Sequence, residues 1–126
     1  KEPADLLKQK LLYRIEDESA PTWLNWFSEA GIENPILPKG PKFPDTNATL
    51  LAAMSNQGIA LARSSLVHDE LMDGRLVKLF NIILSSPISY YLVCPIGSEE
   101  IPEIKAFRNW IKKAGKKAQI NYTHQE

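Results

Sequence analysis

The side chains able to do chemistry are few, and their spacing is poor for it. His68 and His124 are the two histidines, and neither has a Cys, His or Glu partner at metal-ligand spacing. Ser64, Ser65, His68 and Asp69 hold the residue types of a hydrolytic triad within six positions. Triad members come from separate elements that converge in space, and no Gly-x-Ser-x-Gly elbow surrounds either serine. Cys94 follows the apolar stretch Tyr90–Val93 without a neighbouring base, which reads as a buried, inert thiol. Glu16, Asp17 and Glu18 are consecutive, so their carboxylates point in different directions and suit a hydrated turn. Trp23, Trp26 and Phe27 fall at the spacing of a packed helical face rather than a stacking platform. Neither glycine-rich phosphate motif is present. The chain is therefore expected to have no catalytic residue, no metal and no cofactor, and not to be an enzyme.

What remains is binding, and binding needs elements to hold it. Leu11–Ile15 reads as a short strand. Ser19 is a candidate cap for a helix with Pro21 in its first turn, Trp23, Phe27 and Ala30 on one face, and Gly31 as its stop. Four prolines between residues 33 and 44 make a loop around Ile36-Leu37. Asp45 or Thr46 can cap a second helix through Leu50, Ala53 and Met54, ending at Gly58. Ile59–Ala62 is an apolar strand of the buried parallel kind. Ser64 or Ser65 can cap a short helix containing Leu66 and Leu71 and closed by Gly74. Leu76–Phe80 and Ile88–Cys94 read as two more strands. A last helix starts at Pro102, puts Ile104, Phe107, Ile111 and Ala114 on one face, and ends at Gly115, with 116–126 as a tail. Strands alternating with helices predict an α/β domain with a largely parallel sheet.

In such sheets ligands collect at the carboxyl ends of strands, where loops lead into helix starts. Two segments qualify. One is Phe43-Pro44-Asp45-Thr46-Asn47, and the other is Ala62-Arg63-Ser64-Ser65, directly after an apolar strand. Backbone N–H groups, hydroxyl and amide side chains and a guanidinium suit a small polar or carboxylate ligand.

Composition bounds the rest. At 126 residues, 44% apolar and 24% charged, the chain is about one domain and can bury a core. Fifteen basic residues balance fifteen acidic ones, which excludes a whole-domain electrostatic grip on nucleic acid. The balance is uneven: residues 105–126 carry six basic side chains against one acidic. A single cysteine rules out an internal disulfide and suits a reducing, cytoplasmic setting. No apolar run approaches the roughly 18 residues of a membrane span. With neither an initiator Met nor a signal-like apolar region, the chain is expected to start inside a longer protein.

The order of motifs is specific where no single motif is. It runs Trp23-Leu24-Asn25-Trp26-Phe27, Gly40-Pro41-Lys42-Phe43, Leu50-Leu51-Ala52-Ala53, Gly58-Ile59-Ala60-Leu61-Ala62, Gly74-Arg75-Leu76-Val77, Tyr90-Tyr91-Leu92-Val93 and Ala106-Phe107-Arg108-Asn109-Trp110-Ile111. This set resembles the distal part of the effector-binding domain of a LysR-type transcriptional regulator, in the glycine cleavage system activator-like branch. The resemblance implies a type 2 periplasmic-binding-protein-like fold, a three-layer α/β sandwich of two subdomains with an effector cleft between them. Residues 11–95 would supply subdomain II with its crossover strands, and the helix at 101–115 would return to subdomain I. It further implies a small-molecule effector, an amino acid or a carboxylate, contacted by Asp45, Thr46, Asn47, Arg63 and Tyr90. The regulator would be a homo-oligomer that reaches DNA through a winged helix-turn-helix upstream of Lys1. Pro44 and Asp45 depart from the hydroxyl or histidine types of that branch, so its effector does not carry over with the fold. The competing readings are a solute-binding protein of a transporter with the same fold and a small α/β enzyme.

Overall fold

Leu11–Arg14 forms strand β1, and its first two side chains set the layering of everything near it. Successive strand residues point to opposite faces, and both Leu11 and Leu12 are essentially without solvent exposure. A strand buried on both sides must lie between two helices. Leu11 packs with Trp23, Trp26 and Phe27 of helix α1 (Trp23–Glu29), together with Leu6. On the sheet's other side, helix α2 (Thr46–Met54) packs on β1 and buries Leu50 and Ala52. The computed structural model describes residues 2–15, 22–85 and 90–123, and the chain divides into two compact units, Lys1–Ile88 and Ser89–Glu126.

β1 is the middle of a three-stranded parallel sheet, flanked by β2 (Lys42–Phe43) and β3 (Ile59–Ala60). Tyr13 pairs with Lys42 and Arg14 with Phe43 on one side; Leu11 pairs with Ile59 and Leu12 with Ala60 on the other. Two glycines let the flanking strands approach. A Cβ on Gly40 would lie 2.1 Å from the Leu11 carbonyl oxygen, and one on Gly58 would lie 2.4 Å from that of Lys10. The indole N–H of Trp23 donates to the Leu12 carbonyl at 3.0 Å, so even this buried aromatic satisfies its polar atom.

Several expectations need correction. The described helix α1 is capped by Thr22, whose hydroxyl accepts from the Asn25 N–H; Ser19, Pro21 and the Glu16–Glu18 run lie outside the described residues. Val67 occupies the N-cap position of helix α3 (His68–Met72), and Ser64–Leu66 forms a separate 3-10 turn, so neither serine stands at the start of that helix. The apolar strand after Gly58 is shorter than expected, ending at Ala60.

Leu76–Phe80 is not a strand. Among the described residues it pairs with no other strand, the Leu76 N–H instead donating to the Glu70 carbonyl of α3 at 3.0 Å, and Val77 and Leu79 are 73% and 51% exposed. The inward alternation begins only at the end of that segment, with Phe80, Ile82 and Leu84 packed on the Trp26 cluster. Residues 90–94 likewise form no strand, and Cys94 is exposed rather than buried. In the second unit, helix α4 runs Pro102–Thr123, through Gly115 and into the expected tail as far as Thr123. A glycine stops a helix when it takes a left-handed φ, as Gly31 does at 77°; Gly115 does not.

Two substitutions read these glycines oppositely. Gly40→Ala is expected to cost about 1–3 kcal/mol through overpacking, seen as a lower urea midpoint at unchanged slope. Gly115→Ala has open space around it and should favour the helix by about 0.5–1 kcal/mol, seen as stronger far-ultraviolet helical dichroism.

Candidate functional site

Because all three strands are parallel, their carboxyl ends open on one edge. Register brings Arg14, the last residue of β1, level with Phe43, and the Ile15 N–H donates to the Phe43 carbonyl at 2.7 Å. The chain then turns through Pro44 into α2, so the start of that helix lies beside Arg14. The Arg14 guanidinium donates from Nη1 to the Thr46 hydroxyl at 3.2 Å, with both groups half-buried. Among the described residues Arg14 has no carboxylate partner.

Asp45 is the N-cap of α2. Its Oδ1 accepts from the Ala48 N–H at 2.9 Å, and its carbonyl accepts the hydroxyl of Thr49, which is buried, at 2.8 Å. One of the backbone donors expected to be open to a ligand is thereby taken, and a negative charge sits where the helix dipole favours one. Thr46 turns to Arg14, while Asn47 is exposed in the first turn. Arg63 is half-buried in extended backbone (φ −81°, ψ 134°) just past β3, where it precedes the 3-10 turn. The structure thus brings Thr46 to Arg14, with Asp45 adjoining it as the cap of α2, and sets Arg63 beyond the strand on the other side of β1. Tyr90 belongs to the second unit, where it is exposed in irregular backbone.

Arg14 is the residue that sequence reasoning missed. Its signal was available: it is the one cation in an otherwise apolar and aromatic strand, at the end where parallel sheets bind ligands. Next to it, the Tyr13 hydroxyl donates to the Pro38 carbonyl and ties the proline-rich loop to β1; burial holds this phenol above its usual pKa of 10.0. No group of three acidic, His or Cys side chains able to hold a metal occurs among the described residues, nor is any described helix long and apolar enough to cross a membrane.

This is an α/β domain with a polar edge at the carboxyl ends of its strands, and comparison with known proteins places it in a family. Residues 2–116 match the LysR substrate binding domain. The chain is 34% identical to the glycine cleavage system transcriptional activator of Escherichia coli K12, over its full length and 41% of the relative's. It is 31% identical to a homolog of that activator in Haemophilus influenzae, over 87% of this chain and 36% of the relative. The effector domain of the transcriptional regulator AmpR of Pseudomonas aeruginosa superimposes with a TM-score of 0.71 at 29% identity, covering 96% of this chain and 57% of that one. The chain belongs to the LysR substrate-binding domain family, and its fold is of the type 2 periplasmic-binding-protein kind. It spans 41% and 36% of the length of these two curated relatives, the one named as a transcriptional activator and the other as its homolog.

The raised Tyr13 pKa makes stability depend on alkaline pH. The folded state keeps its proton where the unfolded chain would lose it. Stability is therefore undiminished below the unfolded tyrosine value near 10 and falls as pH rises through that value toward the folded one. Denaturant midpoints measured across this range should fall less steeply for Tyr13→Phe than for the wild type.

Proposed function

We propose that this chain is the effector-recognising part of a LysR-type transcriptional regulator and is not an enzyme. In this reading, a small polar metabolite binds at the carboxyl edge of the sheet, in a cleft between two subdomains. Residues 11–95 supply the second subdomain, and α4 packs with the first, which draws on the further length that the relatives possess. The regulator is a cytoplasmic homo-oligomer, and DNA is contacted through a winged helix-turn-helix outside these 126 residues.

The observation that carries the reading is the Arg14–Thr46 contact at the strand ends of a domain whose relatives are regulators. Arg14 spends one N–H on Thr46, and among the described residues its other four donors have no partner, which suits a carboxylate. Thr46 and Asn47 add a hydroxyl and an amide, while Asp45 offers its second carboxylate oxygen to an ammonium group. An amino acid carries both signs and meets both ends of this set. Arg63 extends the contacts from the loop after β3, and Tyr90 enters the proposal on the family resemblance alone. The curated relatives are regulators rather than transport proteins, and nothing favours the solute-binding alternative.

Titration calorimetry of the gene product carrying this segment, against amino acids and small carboxylates, tests the proposal. Thr46→Ala with Asn47→Ala should weaken the effector by roughly 1.5–3 kcal/mol for each charge-assisted hydrogen bond lost. Binding by that double variant within about twofold of wild type, a difference under roughly 0.5 kcal/mol, would reject these contacts.

A further inference from the structure

Helix α4 divides its surface by charge. Ile104, Phe107, Ile111 and Ala114 follow one side at helical spacing, and the lysines occupy the other. From Ile104 to Gln125 the sequence has no Asp or Glu against six basic residues. Near its start the basic face is neutralised: Glu100 takes Lys105 at 2.6 Å and Arg108 at 3.9 Å. Beyond that the carboxylates run out. Lys112, Lys113, Lys116 and Lys117 are exposed and have no acidic partner among the described residues. They form two like-charged pairs one turn apart, with about 6 Å of helix rise within each pair. Such pairs repel and oppose the helix that carries them.

We propose that these four lysines form a sequence-independent contact to the phosphate backbone of duplex DNA. A ladder of evenly spaced phosphates relieves the repulsion along the helix, and each neutralised phosphate releases a condensed counterion. Lysine is a compact point charge without the planar fork that reads base edges, so the contact carries affinity and no sequence preference. The occupant rests on the proposed function: a regulator tethered to its operator holds duplex at high effective concentration, where a weak contact counts.

Fluorescence anisotropy of a labelled random-sequence duplex with the 126-residue chain, over a salt series, tests this. Four contacts give a slope of log K against log salt of about −3 to −4, and affinity falls on the order of 100-fold between 50 and 200 mM. Replacing all four lysines by Gln should flatten the slope and weaken binding at about 50 mM salt by at least tenfold. Replacing them by Arg should preserve both, and far-ultraviolet dichroism confirms that each variant is folded. An unchanged slope in the Gln variant, no binding at low salt, or capture by phosphatidylglycerol vesicles in preference to duplex would overturn the proposal. None of the four lysines is among the proposed effector contacts, which are Arg14, Asp45, Thr46, Asn47, Arg63 and Tyr90. Effector titration is therefore expected to be unchanged in the Gln variant, and the two readings fail separately.

Discussion

The first unit depends on burying both faces of one short strand. Leu11 and Leu12 are adjacent and point in opposite directions, yet neither reaches solvent. Each such side chain contributes roughly 1.5–3 kcal/mol when fully removed from water, but only if a helix covers its side. The aromatic face of α1 covers one and α2 covers the other. Burial of the strand also removes its backbone from water, so its polar groups must find partners within the protein. β2, β3 and the Trp23 indole supply them, and the flanking strands come close enough because Gly40 and Gly58 carry no side chain at the points of contact.

The same geometry creates the candidate site. Three parallel strands end on one edge, and the loop from β2 turns directly into α2. Arg14 therefore stands at the end of a buried strand beside a helix start. Its guanidinium takes the Thr46 hydroxyl, while Asp45 spends one carboxylate oxygen on the backbone it caps. Asp45 adjoins Thr46, the residue that Arg14 holds, so the cation on β1 and the carboxylate at the helix start are each fixed by a hydrogen bond. That arrangement is preorganised for a ligand with polar ends, and an apolar molecule would have to strip water from both charges without replacing it.

The second unit follows different rules. α4 is long, and its lysines far outnumber the carboxylates near them. Phe107 and Trp110 stack with centroids 5.7 Å apart while remaining 49% and 61% exposed. Its ion pairs lie on the surface, where such contacts contribute little to stability. What holds the helix is its own hydrogen-bond ladder and a run of good helix formers, strong enough to carry it through Gly115.

How much of this was legible in advance depended on the range of the forces involved. Helix starts at Asp45 and Pro102, the left-handed stop at Gly31 and the strand at Leu11 were readable, because capping, φ preference and local hydropathy act within a few residues. The ordered motifs also identified the family, and with it a fold that spacing alone does not specify. Local signals misled at Leu76–Phe80, an apolar run of which only Phe80 packs on the core; a strand requires a partner strand, which no local pattern supplies. They misled again at Gly115, whose meaning turns on a φ angle rather than on its identity. Asp45 and Thr46 were recognised as polar residues at a helix start, but their division of labour was not. Arg14 lies thirty-two positions from Thr46, and only strand register brings the two together. The sequence by itself determined the elements and the family; the tertiary structure decided which side chains meet, because meeting depends on pairing between segments far apart along the chain.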